Sequence, residues 1–339
     1  MGKKVLFAFI FLYSLSINQA LAEEPQGSRP VFAGELFGVK VPIANYMFIR
    51  DVLIVFGNKW GGQPQTLEEL DSVIWEQLVL SYEAFRRGIS ASPEEIEEEI
   101  TKMMQSENVE FDWKKDEEAY GKWLQSKANV PPEIFKNQIG HLLQIEKLRQ
   151  WVWETIEPDV TGQEAYQEFL NERNNLTFEL ARFDTRRDAD IFYVEVNKRR
   201  SFWQEEREKR PRYFSGPGSL TLQALMNFWK LPKRHAFSMI KAKDGTIYPP
   251  VPIHKGYAVF KIVGKRLADK SMYDGLKAYY HDKVNSRKKS IGLMKWQEDL
   301  KMQARINPYK DVLSGALTPE PVTVENNQET TEDGRGTMD

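Results

Sequence analysis

Apolar residues recur at steps of three and four along most of this chain, and the clearest run lies between Thr66 and Ile100. Leu70, Ile74, Leu78, Tyr82 and Phe85 form one stripe, and Val73, Leu80 and Ala84 form a second. A helix with two apolar faces has neighbours on both sides. Glu68, Glu69 and Asp71 open it and Arg86 and Arg87 close it, each sign matching the helix dipole, and Gly88 stops it. Ser92-Pro93-Glu94-Glu95 then reads as a capping box with proline at the first helical position, starting an acidic helix that ends near Met104.

The same reading extends to the rest of the chain. Val31–Val41 alternates weakly and is broken by glycines, which predicts a short strand or hairpin. A helix carrying Tyr46, Ile49, Leu53 and Phe56 follows, then a loop from Asn58 to Gln65. A short helix holds Tyr120, Trp123 and Leu124, and a long one runs from Glu133 to about Thr155, roughly 35 Å at 1.5 Å per residue. Thr161 to Glu164 is a second capping box. The period then changes. Leu176–Phe183 alternates as a strand, Arg187–Val196 and Phe202–Lys209 are helical, Ser215–Gly218 reads as a turn, and Leu220–Trp229 as a short apolar helix. A Pro-rich link, Tyr248–Pro252, precedes a strong strand, Tyr257–Val263. Helix returns over Ser271–Met302, with an irregular end and a short strand near Ala304–Asn307.

This order predicts an α+β, mainly helical protein. A helical domain built from both chain ends (31–174 and 270–313) is interrupted by a small α/β module at 175–266. The returning helix is expected to pack on the N-terminal helices. From Ser314 the sequence is acidic, rich in Thr, Pro, Glu and Asn, and without apolar periodicity, so 314–339 reads as a disordered tail.

Composition narrows the setting. Lys3 and Lys4, the apolar run Val5–Ile17 and Ala20-Leu21-Ala22 make the three-part pattern of a secretory signal, residues 1–22. There is no cysteine among 339 residues, which excludes disulfides, thiolate metal sites and cysteine nucleophiles. No later run is long and apolar enough to span a bilayer. A formal net charge of −2 predicts no general affinity for nucleic acid or anionic membrane, so any basic patch must be local. The expected location is periplasmic or otherwise extracytoplasmic, soluble once the signal is cleaved near Ala22.

Three stretches together resemble a known family. The first is Leu70–Ile89, with Ala84, Gly88 and Ile89, followed by Ser92, Glu94, Glu95, Ile96 and Ile100. The second is Gly245-Thr246-Ile247-Tyr248-Pro249-Pro250-Val251 with Gly256-Tyr257-Ala258-Val259-Phe260-Lys261-Ile262. The third is the returning helix, Ser271–Met302. In this order they resemble exported chaperones of the SurA/PrsA/PpiD type, which carry a parvulin (PpiC-type) peptidyl-prolyl isomerase domain. The resemblance covers most of residues 30–313. It implies an ATP-independent chaperone for unfolded or nascent exported and outer-membrane polypeptides, with 175–266 as the parvulin-like module.

The match has gaps at the points that matter for isomerase activity. Active parvulins resemble one another in carrying one histidine in the first strand and a second in a Gly-Tyr-His of the last. Here Leu176–Phe183 has no histidine, and the second position is Ala258. The Gly-Gly-x-Leu-Gly loop survives only as Gly216-Pro217-Gly218-Ser219-Leu220. Isomerisation crosses a barrier of about 20 kcal/mol without breaking a covalent bond. An enzyme lowers it by favouring the twisted imide. With both histidines missing, an inactive or weak isomerase is expected, and an active one is the alternative.

Other chemistry finds little support. His141, His235, His254 and His281 are far apart and share no helical spacing, so no metal site and no cofactor is expected. His254 precedes the last strand and reads as a solvated loop residue, the alternative being a replacement for a lost catalytic histidine. No Gly-x-Ser-x-Gly elbow and no phosphate-binding loop is present. What stands out is nine Trp, nineteen Phe, thirteen Tyr and ten Met. Most of these serve the core, but adaptable methionines and aromatics also suit a groove for unfolded segments. The candidate client-binding residues are Met103, Met104, Trp123, Trp151, Trp153, Met294 and Trp296. No catalytic residue is assigned.

Overall fold

The computed structural model describes residues 31–56 and 64–316. The signal segment, most of the Asn58–Gln65 loop and residues 317–339 lie outside them. The protein is α+β and mainly helical, as the periodicity predicts. It divides into two compact units: Ile156–Gly292 forms one, and the chain on either side of it forms the other.

In the first unit, β1 (Phe32–Leu36) and β2 (Val39–Pro42) form an antiparallel hairpin. Its tight turn places Phe37 and Gly38 at φ 51° and 73°. The late strand β7 (Asn307–Pro308) pairs with the other side of β1, giving the order β2-β1-β7. The approach is close: a Cβ on Gly34 would stand 2.5 Å from the Asn307 carbonyl oxygen and 2.8 Å from the Trp75 ring.

Five helices follow the hairpin: α1 (Ile43–Phe56), α2 (Leu67–Arg86), α3 (Pro93–Ser106), α4 (Glu117–Lys127) and α5 (Pro132–Thr155). Thr66 caps α2 by accepting the N–H of Glu69, and Ser92 and Glu95 close the α3 capping box. The first face of α2 packs Ile74, Trp75 and Leu78 against Tyr46, Ile49 and Leu53 of α1 and against Leu36 and Val41 of the hairpin. Helix α5 also packs on α2. A second cluster joins Val52 and Phe56 to Ile100, Met104, Tyr120, Leu124, Phe135 and Ile139.

In the second unit, α6 (Gly162–Arg173) leads into β3 (Asn175–Phe183), α7 (Arg186–Lys198), α8 (Phe202–Lys209) and β4 (Phe214–Thr221). Then come α9 (Leu222–Phe228), α10 (Lys233–Lys241), β5 (Ile247–Pro252) and β6 (Tyr257–Arg266). The four strands form an antiparallel sheet in the order β4-β3-β6-β5. Strand alternation sends Leu176, Phe178, Leu180, Ala258, Phe260 and Ile262 to the face covered by α9 and α10. Ala181, Ile247 and Val259 face α7 and α8.

Four features differ from the expectations. Ser215–Gly218 is not a turn but part of β4, an edge strand where Gly and Pro are tolerated. Gly216, at φ 103°, lies so close to β3 that a Cβ would come within 2.6 Å of the Phe178 carbonyl oxygen. The Pro-rich link is likewise a strand, β5, on the opposite edge, which needs no outward N–H. Helix α10 was hidden by Pro232 before it and by its basic residues, although Ala236, Met239 and Ile240 give it a buried stripe. The chain beyond Tyr309 forms α12 (Lys310–Ala316), which runs past Ser314 because Leu313 docks in the β1 cluster.

The returning helix α11 (Ser271–Ala304) belongs to both units, with the division at Gly292. In the second unit Tyr280 is buried against Phe169 of α6, with ring centroids 5.4 Å apart. Lys283 pairs with Glu172, and the Arg287 guanidinium lies 2.6 Å from Glu168. From Leu293 onward the helix lies in the first unit, where the Lys301 ammonium stands 3.4 Å from the Ser72 hydroxyl of α2.

Candidate polypeptide-binding sites

The sheet of the second unit sets the question raised by the missing histidines. Ala258 pairs with Arg182 of β3 and Val251 of β5 and is wholly buried. Its methyl group belongs to a cluster with Leu180, Val251, Phe260, Leu222 and Met239. An imidazole there would be taken out of water, at a cost unless it found a hydrogen-bond partner. The histidines of this unit lie elsewhere. His235, in the first turn of α10, stands 3.4 Å from the Tyr248 hydroxyl of β5, and burial together with Arg234 pulls its pKa below the ordinary value. The His254 side chain is exposed, and its backbone N–H donates to the Trp229 carbonyl at 2.9 Å. His281 is exposed on α11 beside Asp282. Among the described residues no group of three His, Asp or Glu side chains could hold a metal ion.

A groove of about 650 Å³ lies between α6, α9 and α11 within the second unit. Arg173, Thr221, Asn227, Phe228, Tyr279 and Tyr280 line it. The Arg173 Nε donates to the Tyr280 hydroxyl at 3.2 Å, which fixes one wall. Phe228 is 76% exposed and Tyr279 57% exposed. Two large rings left in water at a concave surface offer apolar area without acid–base chemistry. A smaller cavity, about 330 Å³, lies on the other side of β3 among Phe183, Ile191, Phe192, Tyr213 and Phe214.

Charge is unevenly divided. Residues 156–292 hold 26 Lys and Arg against 17 Asp and Glu, whereas the rest of the chain holds 21 against 32. The formal −2 of the whole chain therefore hides a basic second unit. The pairing within the first unit is local. Glu83 of α2 is buried, and burial pushes its carboxyl up, but hydrogen bonds from Arg86 and Arg87 outweigh this and hold it below the usual carboxylate range.

The residues singled out in the sequence are scattered. Met104 is buried, and Met103 and Trp123 pack against the same cluster of α3, α4 and α5. Trp151 of α5 is 43% exposed but lies under the Arg87 guanidinium, and Trp153 is half-buried two residues on. Met294 is 56% exposed and Trp296 half-buried on the last part of α11. The groove residues Phe228 and Tyr279 escaped the sequence reading. The available signal was Phe228-Trp229 at the end of a seven-residue helix, α9, whose buried stripe needs only Leu222 and Leu225.

No family model matches this chain, and no curated protein matches it. Solved structures similar to it are SurA-like chaperones and PrsA peptidyl-prolyl isomerases. A SurA-like chaperone from Campylobacter jejuni is 15% identical, with 82% of this chain and 97% of that one covered, at a TM-score of 0.34. PrsA from Bacillus cereus is 12% identical over 87% and 96% of the two chains, with a TM-score of 0.39. PrsA from Bacillus anthracis is 13% identical over 73% and 97%, with a TM-score of 0.37.

Proposed function

We propose that this protein is an ATP-independent, extracytoplasmic folding chaperone that holds unfolded polypeptides, and that its parvulin-like unit binds without isomerising. The observation that carries this reading is the groove at Phe228 and Tyr279, where two large exposed rings border a concavity of about 650 Å³. Such a surface suits an apolar side chain of an extended client. The signal-like N-terminus supports an exported setting. Among the described residues no helix is long and apolar enough to cross a membrane. Within the first unit, the exposed faces of Trp151 and Met294 are separate candidates.

The apolar burial of Ala258 speaks against proton or hydrogen-bond chemistry at the sheet. The test has two arms. The purified chain is expected to delay aggregation of a denatured client at stoichiometric ratios without ATP, and failure to do so would discard the chaperone reading. An X-Pro peptide assay is expected to give the uncatalysed rate, and clear acceleration would assign isomerase activity instead.

A further inference from the structure

Beyond the groove, α9 ends in a surface where local helix chemistry and charge placement conflict. Lys230, the second residue past α9, is in the left-handed region, at φ 53°, which favours glycine. Three residues later, α10 opens with Lys233, Arg234 and His235, with no acidic residue in its first turn and no side-chain cap on Pro232. The positive end of a helix favours Asp or Glu there. Between Leu220 and Gly256 there are six Lys and Arg and one Asp. Among the described residues no carboxylate lies within 4.0 Å of Lys230, Lys233, Arg234 or Lys255. On α7 and α8, by contrast, Lys198 and Arg199 are paired with Glu195 and Glu205. Aromatic rings stand beside cations of this surface. The Arg182 guanidinium lies 5.5 Å from the Trp229 ring centre, and the Lys233 ammonium 5.7 Å from that of Phe237.

From this we infer that the α9–α10 turn is a selectivity rim that draws acidic extended segments of unfolded polypeptide, with an apolar side chain to offer, into the adjoining groove at Phe228. The inference rests on the chaperone reading and deepens it by naming a client class. Lys230, Lys233 and Arg234 sit where helix chemistry would prefer glycine or an acid, so their charges run against the local preferences of the fold. Without a carboxylate partner, they are left to a ligand of opposite sign. The groove beside them is concave, which fits a chain laid across the surface. A lipid surface meets a flat or convex patch, and that argues against an anionic membrane as the occupant.

The test uses short fluorescein-labelled peptides in which Phe alternates with Glu, Gln or Lys, titrated against the purified chain and read by anisotropy. The Glu peptide is expected to bind about tenfold more tightly than the Lys peptide, with the advantage shrinking as salt shortens the screening length. The triple variant Lys230→Gly, Lys233→Glu, Arg234→Glu is expected to lose that preference while its melting temperature holds or rises. Glycine suits the left-handed turn and acids suit the helix start, so misfolding does not mask the result. Equal binding of all three peptides, or a triple variant that keeps the preference, overturns the inference and leaves the chaperone reading standing. Binding of none of the peptides overturns both. Tighter binding to phosphatidylglycerol vesicles than to the Glu peptide overturns it in favour of a lipid.

Discussion

The Arg87 guanidinium lies 4.2 Å from the ring centre of Trp151, while its Nε donates to the Glu83 carboxylate at 2.5 Å. One arginine thus ties the end of α2 to α5 and neutralises a carboxylate that is 2% exposed. Trp151 has a structural duty as well as an exposed face. Trp151→Ala is expected to cost about 1 kcal/mol through the lost cation–π contact. Replacing Arg86 and Arg87 together by Ala leaves Glu83 buried and unpaired, and is expected to cost about 3–5 kcal/mol. Urea unfolding monitored by far-UV circular dichroism measures both. Equal losses in the two variants would show that the carboxylate, not the ring, is unimportant.

His141 makes stability depend on pH over a defined window. Its ring meets Phe48 edge-on, with centroids 5.8 Å apart, and burial pulls its pKa from 6.5 down to about 4. In the unfolded chain this imidazole takes up a proton below about 6.5, whereas in the folded chain it resists until about 4. Between those values the unfolded state binds more protons, so stability falls as pH falls. Above that window both states are neutral at this site and it contributes no slope. The expected loss across the window is about 3 kcal/mol. Glu83 works at lower pH, since its depressed carboxyl costs stability only when acid protonates it. His141→Leu should flatten the profile between about pH 6.5 and 4.5 and leave the more acidic limb in place.

Gln138 of α5 is fully buried, and among the described residues neither its amide oxygen nor its nitrogen has a hydrogen-bond partner. A buried amide without partners forfeits about 1–3 kcal/mol. Gln138→Met keeps the volume and removes the polar atoms, so it is expected to raise stability by a similar amount. Denaturant melts decide this. A loss of stability in Gln138→Met would mean that the amide is satisfied in solution.

Elements with their own end signals were legible in the sequence. Ser92 and Thr161 announced two helices because each cap is a local contact between residues three apart. β4 and β5 were not legible, because Gly216, Pro217, Pro249 and Pro250 carry the composition of turns. Only their edge positions in the sheet make them acceptable strand residues. The division of α11 was equally hidden. Tyr280 and Val284 are buried in the second unit and Leu300 and Ala304 in the first, yet all four continue one helical period. The groove draws Arg173, Phe228 and Tyr279 from three distant helices, so no spacing could reveal it.

Ala258 tests whether the sheet of the second unit could accept a histidine. Its methyl group packs in an apolar cluster with Leu180, Val251 and Phe260. Ala258→His is expected to destabilise the second unit by about 2 kcal/mol or more, through overpacking and an unpaired imidazole. No X-Pro isomerisation should appear. A stable Ala258→His protein that accelerates isomerisation would show that the sheet retains a working site.

Phe228 offers the sharpest separation of function from folding. It is 76% exposed and so contributes little burial to the fold, while Leu222 and Leu225 anchor the same helix in the core. A surface substitution at such a position usually changes stability by less than about 0.5 kcal/mol. Yet its ring is the largest exposed apolar area bordering the groove, and most binding energy in such surfaces comes from a few aromatic anchors. Phe228→Ser should therefore weaken client binding by about tenfold, corresponding to about 1.4 kcal/mol, with an unchanged melting curve. Phe228→Trp keeps a large ring and should restore it. If both variants suppress aggregation as well as the parent chain, clients bind elsewhere, and the exposed Trp151 and Met294 of the first unit become the surfaces to substitute next.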